Sequence, residues 1–245
     1  MLQWTPDTIR FLTDAGEHTG YYGAIAERLR PYLIGAGHVC DAGCGLGYLS
    51  RALCAYVPHV TAIDCDPLPL SSLQGQNLQI TTLCADALTH TPAEPYDAMV
   101  FCFFGHISQI LPLITRCCRG NAVVLARNDT RHRFTAGQHP IGEHNFPAYV
   151  RYLDEQGIPY AAETFSLDCG QPFRTWEDAK RFFTLYRQEG DNPITDDFLR
   201  HRLTVNDNKD FPLYLKQERK IGLLCISADI VRDFIKNEVQ DEYIK

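Results

Sequence analysis

The chain should fold as an α/β protein with a doubly wound, mostly parallel sheet and helices on both faces. Three observations predict it. Short β-rich runs alternate with helical segments through the first half of the sequence, the pattern that builds βαβ units. A glycine-rich turn, Val39-Cys-Asp-Ala-Gly-Cys-Gly-Leu-Gly-Tyr48, joins the first run to a helix. Three runs end in an acid, at Asp41, Asp64 and Asp86. In such sheets ligands bind outside the carboxyl ends of the strands, where strand order reverses.

The elements follow in order. Residues 23–33 read as a helix, with Tyr21 and Tyr22 just ahead of it. The first strand ends at the glycine turn, and 48–56 reads as an amphipathic helix. Residues 59–64 and 78–86 are the second and third strands. The fourth, 96–104, is almost wholly apolar, as a strand buried on both faces should be, and the fifth is 121–126. A polar loop rich in His and Arg covers 127–146, and a helix opens at Pro147 and runs to 156. Residues 160–167 alternate like a sixth strand. Thr175 begins a Thr-x-x-Asp cap for a helix to 187, another helix spans 191–203, and 220–228 is a further strand.

The turn carries the chemistry. Gly43, Gly45 and Gly47 lack a Cβ, so a ligand can lie against bare main chain and near the free N–H groups of the following helix. An acid after the second strand, Asp64, suits either ribose of a dinucleotide or that of S-adenosylmethionine. The glycine spacing separates them. Dinucleotide sites use Gly-x-Gly-x-x-Gly, with pyrophosphate on the helix start; here the third glycine comes one residue early. Asp41 would also repel pyrophosphate, whereas it complements an ammonium and a sulfonium.

In these residues the chain resembles the class I S-adenosylmethionine-dependent methyltransferases, over residues 18–130. The resemblance puts Asp41, Gly43, Cys44, Gly45 and Gly47 beside the methionine part of the cofactor and Asp64 with Cys65 at the ribose. It puts Asp86 with Ala87 at the adenine, and Phe101 and Cys102 closing over the cofactor. Tyr21 and Tyr22 fall where the family often places an aromatic against the methionine end. It also implies a seven-stranded sheet whose last strand, 220–228, runs antiparallel. The organisation expected is one domain over 1–245: an N-terminal helical segment 1–35, a cofactor-binding core 36–130, a helical cap inserted at 168–215 before the last strand, and that strand with a C-terminal helix at 219–245.

Composition agrees. A chain of 245 residues can bury one α/β core and an elaboration. It shows no leader and no apolar run long enough to span a bilayer, which points to the cytoplasm and away from a membrane. Its ten cysteines, many inside apolar runs, are expected to be free thiols acting as small hydrophobes. With 30 Asp and Glu against 23 Lys and Arg, and Phe103-Phe-Gly-His106 after the fourth strand in place of an Asn-Pro-Pro-Tyr motif, a small-molecule acceptor is favoured over nucleic acid.

Methyl transfer is an in-line displacement that needs alignment and the exclusion of water more than side-chain chemistry. A base is needed only where the acceptor must lose a proton. His106 is the catalytic candidate, and its other reading is a histidine that merely starts a helix. His132, Arg133, His139 and His144 in the polar loop, with Phe183 and Tyr186 in the cap, are the substrate candidates. The histidine spacing matches no metal pattern, so no metal is expected. The segment 168–215 either caps an acceptor pocket or forms a homodimer interface. The rival functions are a nicotinamide-dependent oxidoreductase and a non-catalytic S-adenosylmethionine sensor or scaffold.

Overall fold

The computed structural model describes residues 4–73, 75, 79–132, 134–135, 137, 139–140 and 142–234. Its helices are α1 (Pro6–Thr19), α2 (Tyr21–Leu29), α3 (Tyr48–Leu53), α4 (Pro67–Leu70), α5 (Ile107–Cys117), α6 (Phe146–Glu155), α7 (Trp176–Leu185) and α8 (Asp196–Arg202). Its strands are β1 (His38–Ala42), β2 (His59–Asp64), β3 (Ile80–Cys84), β4 (Tyr96–Cys102), β5 (Cys118–Arg127), β6 (Ala161–Asp168), β7 (Gln171–Phe173), β8 (Thr204–Val205), β9 (Leu213–Leu215) and β10 (Glu218–Ser227). A further helical stretch covers 228–234.

Seven strands form one sheet in the order β3-β2-β1-β4-β5-β10-β6. Pairings β1–β2, β2–β3, β1–β4 and β4–β5 are parallel, and β10 runs antiparallel to β5, Leu223 facing Leu125. The chain lays β2 and β3 on one side of β1, then returns to place β4 on the other. The carboxyl ends of β1 and β4 therefore mark the switch point. The centre of the sheet is dry. Val39, Cys40, Ala42, Met99, Val100 and Phe101 are at most 1% exposed, whereas β3, at the edge, keeps partly exposed positions throughout. Helix α5 buries Ile107, Ile110, Leu111, Leu113, Ile114 and Cys117 against this core. All ten cysteines are free, and Cys40, Cys117 and Cys118 are buried among apolar groups.

The sequence reading takes the chain as one domain, but its contacts divide into two units. The sheet unit holds Tyr22–Asn128, Glu143–Phe165 and the chain from Ile221 onward; the small unit holds the chain up to Tyr21, Asp129–Gly142 and Ser166–Lys220. The expected insertion is not purely helical. Besides α7 and α8, the small unit contains a second sheet, β7-β9-β8. Strands of two or three residues are too short to leave a periodic signal, which is why a sequence reading sees only the helices. The small unit also recruits α1 from the N-terminal segment. Phe11 packs among Phe173, Phe182, Phe183, Leu213 and Leu215, and Asp14 takes a two-pronged pair with Arg174, whose Nη2 lies 2.7 Å from Oδ1.

Several boundaries shift for local reasons. Gly20, at φ +64°, ends α1 in a left-handed turn, so α2 begins at Tyr21 and both tyrosines lie inside it. Helix α3 stops at Leu53. Strand β3 ends at Cys84, leaving Asp86 two residues beyond it. Helix α8 begins only at Asp196, where Thr195 accepts the Phe198 N–H at 3.2 Å as its cap.

Candidate active site

The crevice is built from the loop after β1. Gly43 and Cys44 donate their N–H groups to the Ile63 carbonyl at 2.8 and 2.9 Å, stitching the loop to the end of β2. Gly43 (φ +75°) and Gly47 (φ +70°) sit in the left-handed region. A Cβ on Gly43 would strike the Phe104 ring, and one on Gly47 would strike Leu73. Phe104 thus rests on the loop from the β4 side and also stacks on Phe101 at 6.3 Å. Phe103 between them takes φ +56°, a strained position for a bulky residue that turns the chain sharply out of β4.

Asp64 holds the middle of the loop. Its Oδ2 accepts the Gly45 N–H at 2.8 Å and its Oδ1 accepts the Asp66 N–H at 3.0 Å. Each carboxylate oxygen has a second acceptor direction, which suits the two hydroxyls of a ribose. Asp41 is placed differently from its expected position at an open ligand face. It is 1% exposed and accepts the Ser50 hydroxyl at 2.6 Å. Burial pushes its carboxyl up to about 6, with the charge of Asp64 adding and the Ser50 hydrogen bond opposing. Two carboxylates below one loop disfavour a pyrophosphate and favour a cation, so the residues present fit the ammonium and sulfonium of S-adenosylmethionine.

The flank of the loop carries an aromatic stack. Tyr22 lies parallel to Tyr48 at 5.5 Å and 18°, and the Arg51 guanidinium sits 4.5 Å over Tyr48. Tyr21 belongs to the small unit, where Arg219 Nη1 donates to its hydroxyl at 3.3 Å. Burial raises the Cys44 thiol far above its usual range. Cys65 is exposed. Asp86 is exposed, its Oδ1 accepting the Leu88 N–H at 2.9 Å in a tight turn, and Ala87 is buried. Cys102 is half-buried. Phe101 is corrected: it is fully buried in the sheet core, and Phe104 is the aromatic at the loop. The sequence offered no periodic cue for this, because the turn at Phe103 breaks the alternation of the strand.

His106 caps helix α5. Its Nδ1 accepts the Ser108 N–H at 3.3 Å and lies 2.8 Å from the Ser108 hydroxyl, while Gln109 Oε1 accepts the His106 N–H at 3.1 Å. Burial and the neighbouring His144 lower its pKa, with Glu143 opposing. With its lone pair aimed at the helix start, His106 does not have the geometry of the expected base. The loop histidines are not brought together either. His144 sits in the sheet unit, its ring edge-on to His106 at 5.4 Å. In the small unit, the His132 N–H donates to the His139 carbonyl at 2.8 Å, and His139 Nε2 pairs with the buried Asp191 at 2.6 Å. Arg133 lies outside the described residues. Among the described residues no group of three or more His, Cys, Asp or Glu could hold a metal. Phe183 is fully buried in the small unit's core, and Tyr186 packs on Phe134 and Phe182 at 5.4 and 4.8 Å. Phe183 thus faces the core, while Tyr186 is half-buried beside it.

Strand order, switch-point loop and paired acids have the arrangement of the class I S-adenosylmethionine-dependent methyltransferase fold. Residues 39–121 match the family described as "Methyltransferase domain", and S-adenosyl-L-methionine is its methyl donor. No curated protein matches the chain. Among solved structures, a functionally unknown protein from Deinococcus radiodurans R1 is 15% identical, with a TM-score of 0.53 over 90% of this chain and 98% of that one. One from Anaeromyxobacter dehalogenans is 16% identical, with a TM-score of 0.50 over 86% and 98%. The N-methyltransferase NodS from Bradyrhizobium japonicum WM9, in complex with S-adenosyl-L-homocysteine, is 13% identical, with a TM-score of 0.48 over 89% and 94%. At these identities the likeness is one of fold. Among the described residues no helix is long and apolar enough to cross a membrane.

Proposed function

We propose that the chain transfers the methyl group of S-adenosylmethionine to a small-molecule acceptor in the cytoplasm. One observation carries the choice of acceptor: the β4 side of the crevice is lined by aromatic side chains. Phe104 covers Gly43, and beyond it His106 meets His144, Tyr149 and Tyr152 at 5.4, 5.4 and 6.1 Å. A nucleic-acid acceptor calls for phosphate-binding Lys and Arg at this rim, and the chain as a whole carries a formal charge of −7. Ten free thiols agree with a reducing compartment.

The donor supplies a methyl carbon already activated by a sulfonium, so the protein's part is orientation. Asp64 fixes the loop through the Gly45 N–H and offers acceptors to the ribose. Buried Asp41 supplies negative potential beneath the methionine end. Phe104 packs against the loop and keeps water from that wall of the crevice.

Calorimetry and labelled-methyl assays test the proposal. S-adenosylmethionine and S-adenosylhomocysteine should bind while NAD and NADP do not, and label should enter the filtered, macromolecule-free fraction of a cell extract. Label entering only RNA or protein would sink the small-molecule reading. Tight NADP binding with no response to S-adenosylmethionine would sink the methyltransferase reading itself.

A further inference from the structure

We propose that His144, and not His106, accepts the proton that the methyl acceptor must lose, an inference that rests on the methyl-transfer reading above. The argument is one of tautomers. A carbonyl oxygen can only accept a hydrogen bond. The Gly105 carbonyl lies 3.4 Å from His144 Nδ1, so Nδ1 carries the hydrogen and Nε2 keeps the lone pair. His106 is wired the other way. Its Nδ1 accepts the Ser108 N–H, so its neutral ring holds the hydrogen on Nε2 and presents a donor.

The surroundings hold this arrangement. The Gly105 carbonyl also accepts the Tyr149 hydroxyl at 2.5 Å, and Gly105 itself, at φ +64°, aims that carbonyl toward the two rings. Gly105 directly follows Phe104, which covers Gly43, so His144 stands beside the turn that leads out of β4 next to the glycine loop's aromatic neighbour. The ionisable group whose ring meets it is His106 from α5; Glu143 precedes it in the chain, and Tyr149 and Tyr152 from α6 pack on the other ring, His106. Glu143 is occupied by Arg151 at 2.7 Å. Burial and the neighbouring His144 lower the His106 pKa, and His144 is the more exposed of the two rings.

The step balances. Nε2 takes the proton from the acceptor heteroatom as that atom's lone pair forms the bond to the methyl carbon. The electron pair of the carbon–sulfur bond goes to sulfur, which becomes neutral. The imidazolium then gives its proton to water.

Long-range 1H–15N NMR of the ligand-free protein tests the tautomers, with His144→Gln and His106→Gln used to assign the two rings. His144 should show the Nδ1–H form and His106 the Nε2–H form. An Nε2–H form at His144 overturns the proposal. In the labelled-methyl assay on filtered extract, His144→Gln should slow transfer by roughly a hundredfold or more, the range for loss of a general base. S-adenosylmethionine affinity by calorimetry should stay nearly unchanged, and the fall of the wild-type rate at acid pH should vanish in the variant. Transfer at the wild-type rate by His144→Gln overturns it equally. If the wild type labels RNA or protein instead, the small-molecule reading fails alone and the same comparison is scored on that fraction. If no fraction is labelled, the proton-acceptor role falls.

Discussion

Asp41 is the residue whose chemistry the fold changes most. Its carboxyl stands at about 6, against an ordinary 3.8, because it is buried. A raised carboxyl contributes stability that is full below the ordinary value and is lost as pH rises through the folded one. At roughly 1.4 kcal/mol per pH unit, ionising Asp41 costs the ligand-free protein about 3 kcal/mol. Asp41→Asn, which keeps an acceptor for Ser50, should therefore gain stability relative to the wild type as pH rises from about 4 to about 7. It should also bind S-adenosylmethionine more weakly. Denaturant titrations at several pH values check the first part and calorimetry the second; parallel pH profiles for the two proteins would refute the assignment. Asp64→Ala removes the charged acceptor proposed for the ribose and frees the Gly45 N–H, and should weaken S-adenosylmethionine binding by about ten- to a hundredfold. Both acids were legible in the sequence from their places after apolar runs. That one is buried beneath the loop while the other supports its backbone was not, because the difference lies in Ser50 and Gly45 approaching from elsewhere in the chain.

Elements respond to substitutions at their ends. Gly47→Ala places a Cβ both in a left-handed backbone and against Leu73, and should destabilise the protein by about 1–3 kcal/mol while weakening S-adenosylmethionine binding. Pairing it with Leu73→Ala relieves the collision but not the backbone strain, so the double variant should recover affinity only in part. Full recovery would show that the backbone conformation is unimportant. At the start of α5, His106→Ala removes the cap on Ser108 and should lower thermal stability by about 1 kcal/mol. The helix itself was not singled out from the sequence. Only the structure shows that His106 spends its Nδ1 on that helix, because the tautomer depends on which partner each nitrogen meets.

For the whole molecule, the division into two units separates stability from cofactor binding. Phe182 is 1% exposed and packs edge-on to Phe11 and Phe173, both at 5.2 Å. Phe182→Ala should cost the small unit about 3–5 kcal/mol, visible in thermal unfolding. S-adenosylmethionine affinity should change little, because the glycine loop, Asp41 and Asp64 all belong to the sheet unit. A large loss of affinity in the folded variant would contradict that separation.

Alternation of strands and helices, the glycine turn and the acids after β1 and β2 were enough to determine the fold class, the sheet unit's strands and the donor, since each depends on local sequence. Parallel strands buried on both faces write themselves as apolar runs, and a left-handed turn writes itself as glycine. Only the tertiary structure decided what depends on distant partners. Phe11 joins a core more than 160 residues away in the chain, beside Phe173. Phe104 and not Phe101 meets the loop, the aromatic stripe around Phe183 turns inward, and Nδ1 of His106 meets the Ser108 N–H while that of His144 meets the Gly105 carbonyl. Burial and hydrogen-bond partners are properties of neighbours in space, and no local pattern encodes them.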